Sequence, residues 1–147
     1  MTTDTRQTTS PPLFIQLPLM AQTAIYSVSA SKADDLVQLA LSLGYTQEQV
    51  TTFSDENTTT PLEKRERYQA LLTAMRDGSV TVVFISDAAR IFTSASENEL
   101  HAFMHLAMAK GIVVITAQMV YDFSSLTHAH QFRVNCTGNS PFLFLVS

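Results

Sequence analysis

Apolar positions along the chain follow two periods, that of a strand and that of a helix, in alternation. Thr23 to Val28 (TAIYSV) is a short β-type run. Ser31 opens the next segment, with Asp34 three residues on in capping-box spacing. Leu36, Leu39, Ala40 and Leu43 share one helical face, and Gly44 is the expected stop. Val50 to Phe53 is a second strand candidate, and the polar run Ser54 to Thr60 follows it. Thr60, Pro61 and Glu63 have the form of a capped helix start, and Tyr68, Leu71, Leu72 and Met75 form its buried stripe. Asp77 and Gly78 end that helix. Val80 to Ile85 is nearly continuous in apolar residues, as a strand covered on both faces should be. Ser96 and Glu99 cap a third helix with Leu100, Phe103, Met104 and Ala107 inward, and Gly111 closes it. Ile112 to Thr116 is a further buried strand.

Strands that alternate with helices predict a three-layer α/β domain. Its sheet is mostly parallel, of about four to five strands, with helices on both faces. The expected boundaries are a flexible leader over 1–22, the α/β domain over 23–131 and an irregular tail over 132–147. The leader is Thr-rich with a Pro pair, and the tail (FRVNCTGNSPFLFLVS) lacks a helical period.

Composition narrows the classes. A chain of 147 residues, 46% hydrophobic and 15% charged, is globular and suits one domain. The net charge of -4 is the wrong sign for holding DNA by phosphate neutralisation alone. Cys136 is the single cysteine, which excludes an internal disulfide and fits a reducing, cytoplasmic setting. The apolar stretch Leu13 to Met20 is short and broken by Pro18, so neither a membrane span nor a signal peptide is expected.

In an open α/β sheet, sites gather at the carboxyl ends of the strands. The loops there are Ser27–Ser31, Ser54–Thr60, Ser86–Ser94 and Ala117–Leu126. They carry Ser27, Ser29 and Ser31, then Asp55 and Glu56, then Asp87 and Arg90, then Tyr121 and Asp122. Arg65 joins them from the second helix. Hydroxyls facing two arginines suit phosphoryl chemistry, because arginine clamps phosphate oxygens and stays charged. Such a site calls for no metal and no cofactor.

The order of these pieces resembles the catalytic domain of the serine recombinase (resolvase/invertase) family from Ile25 to about Gln131. The matching pieces are Tyr26-Ser27-Val28-Ser29, Leu43-Gly44, Phe53-Ser54-Asp55, Arg65 before Leu71-Leu72, Ser86-Asp87-Ala88-Ala89-Arg90-Ile91, Lys110-Gly111 and Tyr121-Asp122. The resemblance implies a resolvase-like fold and DNA strand exchange through a serine–DNA phosphodiester. Ser29 or Ser31 would be the nucleophile, and Arg65 and Arg90 would contact DNA and stabilise the transition state.

The departures imply impaired or lost catalysis. Aligned without a gap from Tyr26, the family's first Arg falls on Val28 and its Ser on Ala30. Its Asp falls on Ala89, its second Arg on Thr93, and a basic helix residue on Ala74. The long dimer-forming helix and DNA-binding domain of active members have no counterpart in the tail. The implied partners are therefore DNA, held weakly alone, and a second copy or an intact recombinase.

A flavodoxin-like module holding a phosphate-containing ligand at Ser27–Ser31 is the alternative. A phosphoacceptor receiver fits poorly, because the first loop carries serines where acids are needed. Plainer roles stay open: Ser31 as a helix cap, Asp55 as a turn residue, Arg65 on a charged face, Arg90 paired with Asp87. His101 and His105 stand one helical turn apart but lack the Glu of a zinc-protease motif, so structural or solvent-facing roles are expected.

Overall fold

Short β-branched and aromatic runs separated by amphipathic helices fold as one doubly covered sheet. The computed structural model describes residues 17–56, 60–86, 88–92 and 96–137. The strands are β1 (Thr23–Ser27), β2 (Val50–Ser54), β3 (Val82–Ile85), β4 (Val113–Ile115) and β5 (Val120–Asp122). The helices are α1 (Ala30–Ser42), α2 (Glu66–Arg76), α3 (Ala88–Ile91), α4 (Glu97–Lys110) and α5 (Leu126–Thr137). Sheet order is β2-β1-β3-β4-β5, parallel throughout except for β5, which runs antiparallel to β4. The expected three-layer α/β fold is therefore the observed one.

The pleat of the strands divides the core in two. Ile25, Val82, Phe84, Val113 and Ile115 point to the face covered by α1, where they meet Ala33, Leu36 and Ala40. Ala24, Tyr26, Val83, Ile85 and Val114 point to the other face, under α2, α4 and α5. Right-handed crossovers require this split: the chain steps one way from β1 to β2 and the other way to β3 and β4. The reversal makes a crevice between β1 and β3 at their carboxyl ends.

Five sequence expectations need correction. Val120–Asp122 lies in a segment expected to be a loop, yet it forms an edge strand. The reason is local: the Thr116 hydroxyl accepts from the Gln118 and Met119 N–H groups, and Thr116 N–H donates to Met119 O. This tight turn returns the chain alongside β4.

The cap of α1 is Ser29, not Ser31. Its extended backbone (φ -151°) stops the helix, and its Oγ accepts from Lys32 N–H at 3.1 Å.

The Thr60-Pro61-Glu63 signal starts only a 3-10 turn, Leu62–Lys64, and α2 begins at Glu66 after an extended Arg65. Pro61 and the buried Leu62 fix that turn's direction, and the true cap of α2 comes from a distant residue.

Residues 132–137, expected to be irregular, continue α5, with Phe132 and Cys136 buried. Its buried positions fall one to a turn, but polar residues flank each of them, so the stripe is too thin to stand out in the sequence. Burial of Ala129, Phe132 and Cys136 against the sheet holds the helix in place.

The leader expected over 1–22 is anchored from Leu17: Leu17 and Ala21 pack beside the α1 core, and Gln49 Nε2 donates to Leu19 O and Ala21 O. The rest of the leader, 1–16, and of the tail, 138–147, lies outside the described residues, as do Asp87, Thr93 and Ser94. Among the described residues, no helix is long and apolar enough to cross a membrane.

Candidate functional site

The carboxyl edge of the sheet holds three adjoining groups of polar side chains. The first lies in the crevice between β1 and β3. Ser27 ends β1 fully buried, and its Oγ donates to Ser29 O (2.7 Å) and accepts from Ser29 N–H (3.0 Å). From the end of β3, Ser86 Oγ donates to Ser27 Oγ at 3.3 Å. These bonds fold the loop into a fixed hook that presents Ser29 at the start of α1. Ser29 Oγ stands 3.5 Å from Ser31 Oγ, and Ser31 is exposed in the first turn of α1. The sequence picks out both hydroxyls, and the structure brings them together.

Their roles separate by stability. Ser29→Ala removes a capping acceptor and is expected to cost about 1 kcal/mol. Ser31→Ala removes no capping bond and should stay within about 0.5 kcal/mol. Urea unfolding of the two variants checks this, and equal losses would refute the cap assignment.

The second group sits after β2. Asp55 leaves the strand and spends both carboxylate oxygens. Oδ1 accepts from Arg67 N–H (3.1 Å), while Oδ2 accepts from Tyr68 N–H (2.9 Å) and from the Tyr26 hydroxyl (2.8 Å). The first N–H groups of a helix have no partner inside it, so Asp55 caps α2 from across the sheet edge. Burial holds the Tyr26 hydroxyl protonated far above its usual range, and the Asp55 carboxylate adds to this, while a hydrogen bond from Arg65 pulls the other way. Arg65 Nε donates to Thr60 O at 2.9 Å, which fixes the side chain alongside. Asp55, Thr60, Lys64, Arg65 and Arg67 line a depression of about 450 Å³.

The third group surrounds Arg90, exposed on α3. It lines a narrower cleft of about 210 Å³ with Thr116, Gln118, Asn135 and Cys136. Asn135 Nδ2 donates to the Tyr121 hydroxyl at 2.6 Å and ties α5 to β5. Burial pushes the Cys136 thiol up to about 12, so it stays a protonated, unreactive group.

Of the four residues the sequence singles out, Ser29 and Ser31 therefore meet, while Arg65 and Arg90 line two depressions that share no lining residue. Asp55 is a hub rather than the turn residue it resembles. No local signal announces that role, because its three partners lie 12, 13 and 29 positions away in the chain. The buried Ser27–Ser86 contact is likewise visible only once β1 and β3 pair. Among the described residues, no three His, Cys, Asp or Glu side chains gather to hold a metal ion.

Comparison with family models, with curated proteins and with solved structures returns no match to this chain. The fold and the site together define a three-layer α/β domain with a hydroxyl-bearing crevice at its carboxyl edge.

Proposed function

We propose that the chain is a serine recombinase-type domain, related to site-specific DNA strand exchange but catalytically impaired, that reaches DNA in the cytoplasm through a partner. The observation that carries this reading is the placement of the three groups. A serine at the N-terminus of α1, an arginine after β2 and an arginine after β3 occupy successive connections along one sheet edge. A strand-exchange site needs a hydroxyl nucleophile and cationic clamps on adjoining loops. The impairment follows from the same edge. Arg65 is committed to Thr60 O and to the Tyr26–Asp55 pair, and Arg90 opens on a different cleft. Val28, Ala30 and Ala89 put apolar groups where the resemblance calls for Arg, Ser and Asp. Each missing donor costs about a hundredfold or more in rate.

The phosphate-ligand alternative has less support. Of the N–H groups that a phosphate in the β1–β3 crevice would draw on, those of Ser29 and Lys32 are already spent on serine hydroxyls.

The test restores what is missing. The variant V28R/A30S/A89D/T93R is fused to the long helix and DNA-binding domain of an intact serine recombinase and offered that enzyme's own site carrying a nick. The restored fusion is expected to trap a covalent protein–DNA product on a denaturing gel, at least about a hundredfold above the unrestored fusion. A restored fusion that folds and shifts the DNA in a native gel, yet forms no covalent product, would sink the recombinase reading.

A further inference from the structure

One side-chain cluster outside the sheet edge has a chemistry of its own. His101, Met104, His105 and Met108 follow one another at spacings of three, one and three residues in α4. Positions three and four apart on a helix stack on one face, with Cβ atoms about 5–6 Å apart. The structure places all four side chains on the wall of a single shallow cavity of about 220 Å³, which Arg133 of α5 also lines. His101 and His105 are exposed, and Met108 is 37% exposed. Met104 is turned inward and only 9% exposed, so it forms the floor.

We propose that these four residues form a soft-metal site that takes a single cuprous ion, with two imidazole nitrogens and two thioether sulfurs as ligands. Two histidines one turn apart supply a bidentate grip. The remaining donors decide the metal. Among the residues that line the cavity only thioethers complete the set, and thioether sulfur favours Cu(I) over harder divalent ions. Charge favours the same choice, since the Arg133 guanidinium repels a monocation less than a divalent one. Glu97 tempers that repulsion: its Oε2 lies 4.0 Å from Arg133 Nη2 and 4.0 Å from His101 Nε2. A carboxylate beside a ligating imidazole also orients the ring.

The experiment uses the full chain, reduced and under nitrogen, with Cu(I) supplied as its coloured bicinchoninate complex. The protein is expected to withdraw one equivalent of copper from the chelator. His105→Gln and Met108→Leu should each weaken binding about tenfold or more. X-ray absorption of the loaded protein should show copper–sulfur scattering that fades in M104L/M108L. Circular dichroism establishes that each variant is folded. Three results would overturn the proposal: no withdrawal of copper, undiminished withdrawal by the H101Q/H105Q variant, or affinity and scattering unchanged when both methionines are leucine.

Discussion

Asp55→Ala is expected to lower the free energy of unfolding by about 3 kcal/mol, a large share of the stability of a domain this size. The sum has two parts. Two helix N–H groups, those of Arg67 and Tyr68, lose their acceptor, and loss of a cap costs about 1 kcal/mol, up to about 2. The Tyr26 hydroxyl, on a fully buried residue, loses its partner as well, and an orphaned buried donor costs about 1–3 kcal/mol. Asp55→Asn should cost less, because its remaining amide oxygen can still accept from one of the three donors. Tyr26→Phe removes the donor along with the bond and should be milder still. Urea denaturation of D55A, Y26F and the double variant measures the coupling. A loss below about 0.5 kcal/mol for D55A would mean that water replaces the carboxylate at no cost, and the hub reading would fail.

The same residue marks how far the sequence can be read. The α/β class was legible because it rests on local signals. The short β-type run of β1, the stripe of Tyr68, Leu71, Leu72 and Met75, and the stop at Gly111 each act within a few positions. Gly111 ends α4 in the left-handed conformation (φ 62°) that glycine adopts without strain. What escaped is what tertiary structure decides. The cap of α2 comes from Asp55, just after β2, so Thr60-Pro61-Glu63 marks a start five residues too early. The edge strand β5 is only three residues long and owes its place to the Thr116 turn, not to a pattern of its own. Helix α5 turns only a thin line inward, Ala129, Phe132 and Cys136, and the polar residues between them hide it in the sequence. The candidate site divides along the same line. Ser29 and Ser31 are neighbours in sequence and stay together in space. Arg65 and Arg90 could be nominated one by one, but their separation depends on how α2 and α3 leave the sheet.

Helix α5 supplies the sharpest test of that limit, because a reading by periodicity would end the domain at Gln131. The next residue, Phe132, is fully buried at the centre of an aromatic group. Its ring lies edge-on to Tyr121 at 5.0 Å and to Phe123 at 5.2 Å, stacks on Phe103 at 5.9 Å and meets Phe92 at 6.2 Å. These rings come from β5, the turn after it, α4 and the end of α3, so one side chain joins most of that face of the sheet. Phe132→Ala would leave a cavity among side chains that have little room to close it. The expected loss is about 3–5 kcal/mol, whereas Phe132→Leu, which keeps much of the volume, should lose far less. A chain stopped after Gln131 loses Phe132, Cys136 and the Asn135–Tyr121 hydrogen bond together. It is expected to show no cooperative urea transition and to lose its near-ultraviolet dichroism from Tyr and Phe. If the shortened chain instead unfolds at the full-length midpoint, α5 contributes nothing to the core, and the boundary near Gln131 stands. The expected collapse would place the end of α5 inside the folding unit, and with it the wall of the Arg90 cleft.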